Sequence, residues 1–212
     1  MKLISLLSGG IDSAVSSYML LKRGAQMVFV HFHNQTIQKR YVENKVVKTA
    51  KILSKFTKKK TKLYLVPFKQ LQQEIIKKVP ARYRMIVYRR VMFMIAEEIL
   101  KKEKAKAFVT GDSMGQVASQ TLDNLEVIYD AAKEPVFTPL LGMDKVDIIK
   151  LAEEIGTFET SILPYSDCCS FMIAKHPETR ANLNKIKELE SKIEFQKLIK
   201  ETLEKTKIIP LP

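Results

Sequence analysis

The chain has 212 residues, 46% hydrophobic and 28% charged, the balance of a globular protein with enough material for one sizeable core. No apolar run reaches the length of a membrane span, and Met1 leads directly into an apolar, strand-like run. The expectation is therefore a cytoplasmic protein with no membrane partner and no leader ahead of the fold. Lys and Arg number 36 against 23 Asp and Glu, a formal charge of +13 that suits a polyanionic partner such as nucleic acid; a lysine-rich surface built for thermal stability gives the same arithmetic.

In chain order, Leu3 to Leu7 reads as a buried strand. The spacing of Ala14, Val15, Tyr18, Met19 and Leu21 predicts a helix after it, ended at Gly24. Met27 to Phe32 is a second buried strand, followed by a helix over 39–56 and a third strand, Leu63 to Val66. A long helical region over 69–103 is interrupted at Pro80, and its second half carries a broad apolar face from Ile86 to Leu100. Ala107 to Val109 is a fourth strand, with a helix expected near Val117. A weaker strand lies around Pro135 to Leu140, and a helix from about Asp144 to Ile155 is closed by Gly156. From about Glu178 the chain reads as a Lys- and Glu-rich helix with Leu183, Ile186, Leu189 and Ile193 on one face. Alternating strands and helices predict an α/β fold, a doubly wound, mostly parallel sheet with helices on both faces, in which the loops at 8–13, 31–34 and 110–116 converge at the strands' carboxyl ends.

The most informative stretch is Ser8-Gly9-Gly10-Ile11-Asp12-Ser13. A strand that stops at two glycines and restarts as a helix presents unpartnered, partially positive amides, suited to an anion. Gly9 and Gly10 let a phosphate approach the backbone, and Ser8 and Ser13 add hydroxyls. The spacing is not that of a Walker A loop, since no Gly-Lys-Ser/Thr follows. Nor is it the dinucleotide fingerprint, because the glycines are adjacent. It resembles the PP-loop of ATP pyrophosphatases.

Other stretches add chemistry. His31 and Phe32 stand at the end of the second strand, where backbone and an apolar ring can meet a base. His31, His33 and His176 lack metal-ligand spacing, so no metal site is expected from them. Arg82, Arg84, Arg89 and Arg90 crowd an amphipathic helix, either as a solvated face or with one arginine toward a nucleotide and others left for RNA phosphates. Gly111 to Thr121 is a polar, glycine-punctuated loop. Cys168 and Cys169 are adjacent and the chain has no others, so no disulfide framework exists. They read as buried small hydrophobes or, beside a cation, as a competent nucleophile or sulfur carrier.

Together these stretches resemble the catalytic domain of tRNA 4-thiouridine synthetase, the ThiI family of tRNA sulfurtransferases, from Met1 to about Arg180. The resemblance rests on Ser8 to Ser13, Val30 to His33, Val79 to Met85, Tyr88-Arg89-Arg90, Gly111 to Thr121, Gly142 to Lys145, Ile162 to Tyr165 and Asp167-Cys168-Cys169. It implies a PP-loop domain over 1–177 with a helical extension over 178–212 packed on it. It implies ATP contacts from Leu6, Leu7, His31, Phe32, Arg89, Gly111 and Gln120, with phosphates on the Ser8–Ser13 loop. Asp12 would assist activation through Mg²⁺, Lys145 would be needed for activity, and Cys169, or Cys168 beside it, would carry the reactive sulfur. The implied reaction adenylates the C4 oxygen of a tRNA uridine and replaces it with sulfur, releasing AMP and pyrophosphate; the family is also tied to thiamine biosynthesis. The donor would be a cysteine desulfurase persulfide or sulfide. Family members carry an RNA-binding THUMP region, and some a rhodanese domain, so tRNA capture falls to a separate THUMP-type polypeptide, a homodimer or the basic surface. Competing readings are another PP-loop enzyme with a different acceptor, a different tRNA thiolase or an amide-forming ligase, and a non-catalytic ATP- or RNA-binding module.

Overall fold

The computed structural model describes residues 1–34, 39–163 and 174–212, with side chains omitted for 39–44. Along the chain run β1 (Lys2–Leu6), α1 (Ile11–Leu21), β2 (Gln26–His33), α2 (Lys39–Ser54), β3 (Thr61–Pro67), α3 (Lys69–Lys78) and α4 (Arg84–Glu103). Then come β4 (Phe108–Val109), α5 (Leu122–Tyr129), β5 (Val136–Phe137), α6 (Lys145–Glu154), α7 (Phe158–Ser161), α8 (Leu183–Glu190), α9 (Phe195–Glu204) and β6 (Lys207–Leu211).

The strands form one sheet in the order β5-β4-β1-β2-β3-β6. The five from β5 to β3 are parallel, and β6 pairs antiparallel with β3 on the far edge. Their near-continuous apolar character follows from burial on both faces. Alternate residues feed two cores. Ile4, Val28, Val30, Tyr64 and Val66 face a layer containing α3, α4, α8 and α9, while Leu3, Met27, Phe29, Leu63 and Leu65 face α1, α2 and α6. The order reverses at β1, which has β2 on one side and β4 on the other. The crevice at the carboxyl ends of β1 and β4 is therefore the place where a doubly wound sheet takes a ligand.

Small residues bring α1 close to that crevice. Ser13, Ala14, Ser16 and Ser17 are buried against the sheet. Ser5 and Ser17 share a hydrogen bond at 2.7 Å, and the Ser16 hydroxyl donates to the Thr110 carbonyl at 2.6 Å, tying α1 to β1 and to the start of the loop after β4.

Three expectations change. Val117 is extended, followed by one 3-10 turn at Ala118–Gln120; the helix waits for the Thr121 side chain to cap it by accepting from the Asn124 amide at 3.3 Å. The carboxyl-terminal stretch is not one helix but α8 and α9 followed by β6, whose Pro210 is tolerated because the strand lies at an edge. Arg90 is not available to RNA. It is buried, pairs with both oxygens of Glu190 at 2.7 and 3.1 Å and with Asp130 at 3.2 Å, and donates to the Val127 carbonyl, tying α8 and α5 to α4. Arg84 likewise turns inward to the carbonyls of Val79 and Ile76.

Candidate active site

A cavity of about 410 Å³ opens at the carboxyl edge of the sheet. Leu6, Leu7, Ser8, Asp12 and Ser13 from the first loop meet His31 and Phe32 from β2 and Thr110, Gly111 and Asp112 from beyond β4. The first, second and fourth strand ends thus converge. β2 runs on to His33, so His31 and Phe32 are strand residues rather than loop residues. Met85, Ile86, Arg89 and Met92 of α4 form the opposing wall, and Gln120 and Ala174 also line the cavity.

The Ser8–Ser13 turn is braced from within. The Ser8 and Ser13 hydroxyls lie 3.1 Å apart, the Ser8 amide donates to Ser13 Oγ at 3.1 Å, and the Gly10 amide donates to Ser8 Oγ at 3.2 Å. Gly9 adopts φ +88°, which favours glycine, and Gly10 caps α1 with no side chain of its own to cover the helix's first amides. These two glycines shape the turn without lining the cavity. Gly111 has a different task. A Cβ there would lie 2.5 Å from the Ser13 nitrogen and 2.7 Å from the Asp12 carbonyl carbon, so only hydrogen lets the β4 loop reach the first turn of α1.

Lys145, at the start of α6, pairs with Asp12 at 2.5 Å, which brings two of the residues implied by resemblance together at the mouth of the turn. The pair is partly exposed, so its worth for stability is small. His31 is buried, and its Nδ1 donates to the Leu7 carbonyl at 2.7 Å, since a carbonyl can only accept. Burial lowers its pKa to about 4, with the Leu7 contact opposing and the charges of His33 and Lys45 adding. The ring is therefore neutral at pH 7, with Nε2 an acceptor.

Sequence reasoning missed Asp112 as an organising group. Its buried carboxylate takes the Arg89 guanidinium at 2.5 Å, the Tyr129 hydroxyl at 2.6 Å and the Gln120 amide at 3.1 Å. Burial works to raise its pKa; the Arg89 charge and hydrogen bonds from Tyr129, Thr110 and Arg89 outweigh this and hold it below the ordinary value. Tyr129 is shifted upward, by burial first and then by that carboxylate. Asn124 was also missed. Fully buried, it donates to the carbonyls of Ala118 and Glu178 and accepts from the Ala181 amide, fastening 178–181 to the β4 loop. Lys45 holds the carbonyls of Ser161 and Leu163 at 2.8 and 3.0 Å. Cys168 and Cys169 lie outside the described residues.

Residues 1–195 match the family model described as thiamine biosynthesis protein (ThiI). The chain belongs to the ThiI family. Among ThiI relatives, a probable tRNA sulfurtransferase of Thermoanaerobacter pseudethanolicus is 46% identical over 194 residues, 92% of this chain and 51% of that protein. One of Thermus thermophilus is 44% identical over 208 residues, 98% of this chain and 51% of that protein. The ThiI chain thus spans about half the length of the curated relatives it matches. A crystal structure of a 4-thiouridine synthetase–RNA complex with bound ATP superposes with TM-score 0.94 and 40% identity, over 100% of this chain and 55% of that one. An NMN synthetase from Francisella tularensis, at TM-score 0.54 and 12% identity over 90% of this chain and 76% of its own, shares the fold alone.

Proposed function

We propose that this ThiI chain is the catalytic part of an ATP-dependent tRNA sulfurtransferase that makes 4-thiouridine, working in the cytoplasm. The observation that carries the reading is the convergence of the amide-rich Ser8–Ser13 turn with an apolar, nucleotide-sized cavity on a chain 40% identical to a 4-thiouridine synthetase solved with ATP and RNA. In this reading Phe32 and the α4 wall take the base, Gln120 and Arg89 contact the nucleotide, and the phosphates rest on the turn.

The uridine C4 oxygen attacks the α-phosphorus and pyrophosphate leaves with the bonding electron pair. A sulfur nucleophile then adds at C4 and expels AMP. The amides at the start of α1, with Lys145 and Arg89, stabilise the charge that grows on the transferring phosphoryl group. Asp12 fits a Mg²⁺ held by one carboxylate and the ATP phosphates, the usual division for that ion; among the described residues no group of three or more His, Cys, Asp or Glu gathers to make a protein-only site. Bound Mg²⁺ would neutralise phosphate charge. Cys169, or Cys168, would take the outer sulfur of a desulfurase persulfide by thiol exchange, freeing the desulfurase thiol. That sulfur would add at C4, and a second thiol attacking the cysteine sulfur would form a disulfide and release the thiouridine, whereas sulfide would add at C4 directly. Cys169 stands five positions before Ala174, which lines the cavity, so the tether is short.

The test is pyrophosphate release and nucleoside mass spectrometry on tRNA with ATP, Mg²⁺ and either a persulfide-charged cysteine desulfurase or sulfide, with and without a THUMP-type polypeptide. Asp12→Ala should abolish 4-thiouridine with either donor and Cys169→Ala with the persulfide donor; full activity in both refutes the assignment.

A further inference from the structure

Gln120 brings a buried acceptor to the cavity whose direction is dictated by a neighbour. Its Nε2 lies 3.1 Å from Asp112 Oδ1. A carboxylate oxygen can only accept, so the NH₂ end of the amide must face Asp112 and the carbonyl Oε1 must face away. Oε1 is buried and has no hydrogen-bond partner, although Gln120 lines the cavity. The other carboxylate oxygen is occupied by the Arg89 guanidinium at 2.5 Å and the Tyr129 hydroxyl at 2.6 Å. Those two contacts hold the carboxylate plane, and with it the sense of the Gln120 amide.

We propose that Asp112 is a positioning residue that locks Gln120 with its carbonyl as the ligand-facing end, so that the cavity selects a nucleoside carrying an N–H or O–H donor at that point. The proposal rests on the nucleotide reading of the cavity. A buried acceptor without a partner is costly, and a ligand donor relieves that cost on binding; a ligand oxygen in the same place would meet lone pair against lone pair. On ATP such donors are the 6-amino group of adenine and the two ribose hydroxyls.

Equilibrium binding of ATP, ITP, 2′-deoxy-ATP and 3′-deoxy-ATP to the whole chain separates them, since each analogue removes one donor. The wild type should bind one analogue at least about tenfold more weakly than ATP. In Gln120→Leu that same penalty should shrink to about twofold or less, because no acceptor remains to be satisfied. Asp112→Asn should shrink it likewise, since an amide both donates and accepts and lets Gln120 turn over. A merely structural role would weaken all four nucleotides in proportion and leave their ratios alone. Equal binding of all four to the wild type, or an undiminished penalty in Gln120→Leu, overturns the recognition. A penalty lost in Gln120→Leu but intact in Asp112→Asn overturns the role of Asp112. Absence of ATP binding by the wild type removes the nucleotide reading itself, and the proposal with it.

Discussion

Acidification should weaken this fold through one buried imidazole. His31 sits between β1 and β3 in the sheet, with Nδ1 fixed on the Leu7 carbonyl, and burial lowers its pKa from 6.5 to about 4. Because the folded value is the depressed one, the unfolded chain takes up the proton first as pH falls. Above the unfolded value both states are neutral and the residue costs nothing; between 6.5 and about 4 each pH unit removes stability, by up to roughly 1.4 kcal/mol. At about pH 5 the accumulated loss is about 2 kcal/mol, and it levels off near 3 kcal/mol once both states are protonated. Denaturant unfolding at about pH 7.5 and about pH 5 measures this, with His31→Gln as the reference, since glutamine can donate to Leu7 but does not titrate. Carboxylates contribute alike to both proteins. The wild type should lose about 2 kcal/mol more than the variant on acidification; equal losses, or a His31 NMR titration midpoint near that of free histidine, would refute the reasoning.

Gly111→Ala should drive backbone against backbone, because its Cβ would stand 2.5 Å from the Ser13 nitrogen. A cost of about 1–3 kcal/mol and a loss of nucleotide affinity of at least about tenfold are expected by calorimetry, and normal affinity would sink the packing argument. Glu190→Gln should strip charge from a pair around the buried Arg90 and lower unfolding free energy by about 3 kcal/mol, with nucleotide affinity unchanged because the pair lies outside the cavity lining. Lys145→Met removes a partly exposed ion pair, so stability should move by less than about 1 kcal/mol while tRNA-dependent pyrophosphate release falls at least about 100-fold. A large drop in melting temperature would instead make Lys145 structural.

Much of this molecule could be read along the chain because the signals are local. Two-sided burial writes itself as continuous apolar strands, a phosphate turn as adjacent glycines between strand and helix, and a parallel sheet as alternation of the two. From these, the meeting of Ser8–Ser13 with His31, Phe32 and Gly111 followed as topology. β6 escaped notice because five residues with a proline carry little periodic signal, and the pairing that makes them a strand comes from β3, about 145 positions earlier. The arginines were picked out as a group, but which of them turns inward could not be read, for a related reason. Arg89 and Arg90 are neighbours of one type, yet a helix turns about 100° per residue, sending one to the cavity and the other under α8 to Glu190. Asp112 and Asn124 look like ordinary polar loop residues until folding sets Arg89, Gln120, Tyr129 and the 178–181 backbone around them. A residue's backbone tendency is carried by its near neighbours, whereas the partner of a buried charge or amide is whatever the closed fold brings within 3 Å, and no spacing along the chain records that distance.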